Sequence, residues 1–358
     1  MSLTRFDLSN DIVTIKDQEF VTSTWSNNTN NLQSVHTASS QADFTTPTSS
    51  GQFYINVYNL DTGSESPTAE VQYAVAYGHK AGSGSPDFTN DTGSFGLSAT
   101  RTVYSQYRQL VYQDETQNFK FGTHTSDDIY VINVNRARYK HKLNPGSLNL
   151  HLVSQSVTIK LTDNSVDNPN GYDTSPGDKL GTYYYIVSGA NGTSYNSLDA
   201  TQAGGTGSYG LFYPHAGLII LSPGALSNTN TKMNSVKPAT NPGLSSNTDR
   251  NHVKLLNAIV SGSANDDGHF IVDTAEEINS QYYFVRAKNS QYNYTNNPSF
   301  VDANHTVLVN SWIKNPKVYI TTVGLYNDMN ELLAVAKLSQ PVAKDFTKEA
   351  LVRVKLDY

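Results

Sequence analysis

Nine histidines are the first residues in this chain that could do chemistry, because imidazole is both a metal ligand and a general base near neutral pH. Their spacing supports neither role. His141 and His151 stand ten residues apart in strand-forming sequence, and no H-E-x-x-H occurs, so the paired ligands of a helical zinc site are missing. The G-x-S-x-G that sets a hydrolase serine on a sharp turn is absent too. Among the carboxylates, Asn265-Asp266-Asp267-Gly268 imitates the glycine turn of a calcium loop. With Gly268 at position six, however, position one is Ser263 and position twelve is Thr274, so the loop fails at two ligands. Asp-Gly between apolar runs reads instead as a turn. Asp163, Asp167, Asp173 and Asp178 crowd one segment where a calcium or sodium ion could sit, and a hydrated acidic loop is the simpler reading. Asp87, Asn90 and Asp91 lie in a glycine-rich loop (78–96) that has neither a loop-closing glutamate nor the G-x-x-x-x-G-K-[ST] phosphate cradle. The expectation is no catalytic residue, no metal and no cofactor: a chain that is not an enzyme.

Composition points to a β protein. Charged residues are 16% of the chain, against about 25% in ordinary globular proteins; Asn, Ser, Thr and Gly supply the polarity. Tyrosine is abundant, with 23 copies, and Tyr, Thr and Val favour strands while Asn, Gly, Ser and Pro favour turns. A net charge of −6 argues against a broad nucleic-acid face. The one basic cluster, Arg136-Ala137-Arg138-Tyr139-Lys140-His141-Lys142, reads as a solvated strand face or a contact with an acidic neighbour. Cysteine is absent, which excludes disulfides and thiolate metal sites. No run approaches the roughly 20 apolar residues of a membrane span, and the N-terminal MSLTRFDLSND lacks the apolar core of a secretory signal. Neither a membrane nor a nucleic-acid partner is therefore expected. Tyr183-Tyr184-Tyr185, Tyr282-Tyr283, Tyr292 and Tyr294 have the character of interface residues. Packing in a β core accounts for most of them, and stacking on a glycan is the rival use.

The elements read as all-β and multi-domain, in β-sandwich-like units with long loops and few short helices. Residues 1–43 form an extended N-terminal arm with strand candidates at 11–15 and 19–25. Residues 44–145 form a first β domain, with alternating runs at 52–60 and 69–77 and further strands at 104–112 and 129–134. Residues 146–272 form a second, with a hairpin of 147–153 and 156–162, a strand at 183–187, and a strand pair within 209–221 around Pro214-His215. A short helix is expected over 251–260, and Thr274 with Glu277 makes a capping pair for one helical turn. Residues 273–358 form a C-terminal β module, with a hairpin over 317–338 that turns at Asn327-Asp328-Met329-Asn330 and stops at Pro341. Its last strand, 350–358, places Val352, Val354, Leu356 and Tyr358 on one face and Leu351, Arg353, Lys355 and Asp357 on the other. That alternation ties the strand into a sheet. The arm carries Phe6, Ile12, Ile15, Phe20 and Trp25, too much apolar surface to leave in water and too short a segment for its own core. These five and the four apolar residues of the last strand are the interface candidates.

Several stretches carry a resemblance. These are the C-terminal VGLYNDMNELLAVAKLSQP, the upstream YYFVRAKNSQYNYTNNPSF, Tyr77-Gly78-His79-Lys80 followed by YSQYRQLV, and Ala137 through Gly146. They resemble virion structural proteins of contractile-tailed bacteriophages, of the baseplate or tail-fibre attachment type, especially those of cyanophages. The resemblance implies a place in the virion tail, assembled in the host cytoplasm. It implies other phage structural proteins as partners, many copies in a symmetric assembly, and protein–protein packing as the mode of action. The alternative is a receptor- or glycan-binding tail module.

Overall fold

The computed structural model describes residues 4–25, 54–59, 67–85, 99–154, 157–172, 180–194, 201–202, 205–206, 208–227, 233–240, 250–264 and 270–357. In chain order its main elements are β1 (Ile12–Ser23), β2 (Tyr54–Tyr58), β3 (Val71–His79), α1 (Ala99–Tyr112), β4 (Asp128–Val134), β5 (Asn149–Ser154), β6 (Val157–Asp163) and β7 (Tyr184–Ala190). There follow β8 (Gly210–Tyr213), β9 (Leu218–Leu221), α2 (Asn251–Ala264), β10 (Phe270–Ile271), β11 (Asp273–Ala287), β12 (Val318–Tyr326), β13 (Leu332–Lys344) and β14 (Ala350–Asp357). Among the described residues strand outweighs helix, 46% to 17%, in keeping with the composition. The chain divides into two compact units: one of Met1–Glu19 with Glu277–Tyr358, the other of Phe20–Glu276.

The unit of Phe20–Glu276 is built on one antiparallel sheet in the order β10-β5-β6-β7-β8-β9-β4-β3-β2. The expected boundary between residues 145 and 146 is therefore corrected, since the sheet runs straight across it. The reason lies in β9. All four of its residues are buried, so it needs a strand on each side. It pairs β8 through Leu211↔Ile220 and β4 through Ile219↔Ile132, joining the two halves of the sequence. The expected hairpin of β5 and β6 and the pair of β8 and β9 are both present. Alternate residues of β4 serve different faces: Tyr130, Ile132 and Val134 lie in one core cluster, Ile129 and Val131 in another.

Helices help to fill both faces. Leu255, Leu256 and Ile259 of α2 join the first cluster, and Tyr104, Val111 and Tyr112 of α1 the second. The helix expected over 251–260 is thus present and longer. The strand expected over 104–112 is a correction: that segment is the C-terminal part of α1. Its buried positions Thr100, Tyr104 and Val111 repeat at helical, not strand, intervals, and tyrosine-rich composition masked the period. Gly78 allows the close approach. A Cβ there would lie 2.7 Å from the backbone nitrogen of Tyr104, and backbone cannot swing aside. Gly78→Ala should cost about 1–3 kcal/mol, the usual range for overpacking, measured as a lower urea midpoint at unchanged slope. An unchanged midpoint would show that α1 is free to slide.

The arm is also corrected. Residues 12–23 are one continuous strand, and in the other unit the sheet order is β1-β11-β14. Trp25 is only 3% exposed: its ring lies 4.9 Å from Phe270 and 5.7 Å from Tyr73, and its indole N–H donates to the carbonyl of Phe270 at 2.9 Å. Trp25 thus has its cover within its own chain, whereas Ile15 is exposed. Thr274 starts no helix; it pairs with Leu143 at the beginning of β11. At the C-terminus, β12 and β13 form the expected hairpin, whereas the ladder partner of β14 is β11, with Val354 opposite Tyr283 and Val352 opposite Val285. Pro341 does not stop β13. Pairing passes from Ile320↔Val342 to Thr322↔Lys337, so the proline falls in a bulge where its missing N–H costs no ladder bond.

Candidate interface

The unit of Met1–Glu19 and Glu277–Tyr358 has two layers. One is the β1-β11-β14 sheet, the other the β12–β13 hairpin. Strand alternation turns Val323 and Leu325, with their opposite numbers Ala336 and Ala334, toward Val352 and Val354. The hairpin tip is held by Asn327, whose Oδ1 accepts from the backbone N–H groups of Met329 and Glu331 at 3.0 and 2.8 Å, while Asn330 takes the left-handed conformation at φ 60. The expected turn is therefore in place. At the other end of β13 the ammonium of the buried Lys344 donates to Asn293 Oδ1 at 2.7 Å and to the carbonyl of Asn289 at 3.2 Å, fastening the segment that carries Tyr292 and Tyr294. Trp312 is buried beneath Tyr294 and Phe300, with ring centroids 6.1 and 6.2 Å away.

What remains outside is apolar. Tyr319 is 64% exposed, Leu333 69%, Val335 58%, Leu351 60% and Met329 81%. Of the residues expected at an interface, Phe6 is half-buried and packs edge-on against Tyr283 at 5.6 Å. Ile12 is half-buried and Ile15 exposed. Trp25, Val352 and Val354 are buried and Leu356 half-buried. The side chain of Phe20, and Tyr358 altogether, lie outside the described residues. Most of the named positions thus serve internal cores, and the hairpin carries Tyr319, Leu333 and Val335 among the outward apolar residues. A polar–apolar pattern marks which face is covered but not what covers it.

A cleft of about 1250 Å³ runs through this unit. Every residue from Lys317 to Asp328 lines it, and Thr4 to Phe6 and Tyr283 to Ala287 also border it. Its floor includes Val352 and Leu356.

In the other unit, the basic cluster is satisfied within the chain. The Arg136 guanidinium lies 4.5 Å from the Tyr139 ring and donates to the carbonyls of Tyr139 and Lys140; Arg138 pairs with Glu70 at 2.9 Å and Lys140 with Glu276 at 2.8 Å. The hydrogen bond from Lys140 holds the Glu276 carboxyl below its ordinary value. The tyrosines go largely inside: Tyr73, Tyr77, Tyr104, Tyr130 and Tyr213 are fully buried, and Tyr172, Tyr183 and Tyr185 pack against one another with ring centroids 4.4 to 5.7 Å apart. Asp87, Asn90, Asp91, Asp173, Asp178 and Asn265 to Gly268 lie outside the described residues. Among the described residues no three His, Asp or Glu come together as a metal site, and no helix is long and apolar enough to cross a membrane.

One polar group was not legible in the sequence. Strand register sets His79 opposite Asp128. The Asp128 carboxyl accepts from Ser126 Oγ at 3.0 Å and from the Tyr77 hydroxyl at 3.4 Å, and the Ala81 N–H donates to His79 Nδ1 at 3.0 Å. Burial raises Asp128 above the usual carboxyl value, raises Tyr77 and lowers His79. The Ser126 hydroxyl is also within 2.8 Å of the backbone carbonyl of Asp128, so it bridges the main chain and the carboxyl of one residue. The group closes the end of the sheet. A carboxyl raised on folding stabilises fully below its unfolded value, near pH 4, and loses that contribution as pH rises through the folded value. Asp128→Asn keeps an acceptor for Ser126 and removes the buried charge. Its stability relative to the parent should therefore rise between pH 4 and 7 in paired urea titrations; a relative fall would contradict this account.

Comparison with family models, with curated proteins and with solved structures finds no match to this chain.

Proposed function

We propose that this chain is a structural component of a tailed-phage virion, in or beside the baseplate or fibre attachment, working through protein–protein packing. The observation that carries the reading is the outward apolar surface of the β12–β13 hairpin, where Tyr319, Leu333 and Val335 are each more than half exposed. Monomeric proteins rarely leave such a patch contiguous and uncovered. The tail vocabulary of the sequence supports the location, and the mainly β architecture suits a rigid part. Gold-labelled antibody against the chain should decorate one end of the tail on intact particles. Particles that contain the chain only in the capsid, or not at all, would remove the proposal.

A second reading has its own observation. Tyr294 and Phe300 pack by Trp312, and with Tyr292, which lines the same cleft, they are 37% to 49% exposed and could stack on sugar rings. Host adsorption blocked by soluble surface glycan, and lost when Tyr292 and Tyr294 are alanine, would favour it.

A further inference from the structure

We infer that the cleft of this unit receives an extended strand from a partner protein, which adds to the free edge of β12. The inference rests on the assembly reading, yet it fails separately from it, since particle labelling tests the location and the experiment below tests the cleft.

The geometry comes first. In a strand, successive side chains point to opposite faces, so a cavity over one face meets every second residue. This cleft meets every residue of β12, so it reaches the main chain of that strand as well as its side chains. Among the described residues the hairpin is a two-stranded sheet: β13 covers one edge of β12, and no strand lies beside the other. An open edge is a row of main-chain donors and acceptors that a further strand can use. Nine residues of β12 offer a run of roughly 30 Å at the usual strand rise. The volume exceeds the roughly 300–1,000 Å³ of a small-molecule pocket, which favours an elongated occupant.

The chemistry of the occupant follows from the walls. Phe6, Ile320, Val352 and Leu356 supply an apolar floor, which suits side chains that are apolar at alternate positions. The charged residues along the cleft are three cations, Arg5, Arg286 and Lys317, against two carboxylates, Asp11 and Asp328. Arg5 and Asp328 face one another at 3.6 Å, and Asp11 already accepts the Asp7 N–H at 2.9 Å. Lys317 lies close enough to Asp345 to help lower its carboxyl, so the exposed Arg286 is the cation that remains to meet the partner. The occupant is therefore an alternating apolar strand with an acidic end.

The test uses the full chain and a synthetic nonapeptide of alternating valine and threonine with aspartate at each end, fluorescently labelled. Fluorescence anisotropy should show saturable binding. Methylating alternate backbone nitrogens of the peptide should weaken binding at least tenfold, because it removes main-chain donors without changing the side chains. The variant Arg286→Glu, a surface change checked for folding by circular dichroism, should weaken it at least fivefold, and lysine-ended peptide should bind the variant better than the parent. No saturable binding, or binding indifferent to methylation, overturns the inference. So does saturable binding of a chitooligosaccharide that Tyr292→Ala abolishes in a chain that ignores the peptide; the cleft would then be a sugar site.

Discussion

Trp25→Ala should lower the stability of the unit containing the large sheet by about 3–5 kcal/mol, the usual cost of emptying a buried aromatic site. Trp25 is 3% exposed between Tyr73 and Phe270. The substitution leaves a cavity between two rings that are themselves 5.1 Å apart and nearly perpendicular. It also removes the donor to the carbonyl of Phe270. The chain has only two tryptophans, and Trp312 belongs to the other unit. In Trp312→Phe the fluorescence therefore reports on Trp25 alone and supplies the reference curve. Urea unfolding of Trp25→Ala, followed by far-ultraviolet circular dichroism, should begin well before that curve. A loss below about 1 kcal/mol, the range of an ordinary surface change, would mean that Trp25 is a lid on the core and not part of it.

Val354→Asp should unfold the smaller unit selectively. Val354 is 6% exposed and sits opposite Tyr283 in a core whose buried members are Val323, Leu325, Val352 and Val354. A carboxylate there would have to ionise among apolar side chains or stay protonated, and either costs several kcal/mol. So small a core has little reserve to absorb that. Hydrogen exchange should show lost protection through Ser280–Ala287, the stretch of β11 paired with β14, while β4 and β9 stay protected. Leu351→Asp is the matched control, because Leu351 is on the same strand and 60% exposed. Equal protection in both variants would show that the covered face of β14 is not structural.

Much of this fold was legible in one dimension, for physical reasons. Period-two alternation named β14 and its covered face, Asn327 to Asn330 named the hairpin turn, and the run around Pro214-His215 named a strand pair. Each of these signals is local, because strand pleat and turn dihedrals depend on neighbouring residues alone. The errors share a cause. Tyrosine and valine in α1 have strand propensity, and only packing beneath Gly78 against the sheet decides for helix. The boundary after residue 145 failed because β9 chose β4 as a partner, a pairing between residues nearly ninety apart in sequence. Thr274 and Glu277 satisfy a capping rule that the ladder with Leu143 overrides.

The same division holds for the surface. The sequence by itself determined that Phe6, Trp25, Val352 and Val354 must be covered, since hydrophobic transfer free energy depends on residue type. Tertiary structure alone decided what covers them: Tyr283, Phe270 and the inner face of the hairpin. It alone left Tyr319, Leu333 and Val335 outward, opened the edge of β12 and set His79 opposite Asp128. Exposure, edges and cross-strand neighbours are properties of pairs of distant segments, and no residue carries them in its type.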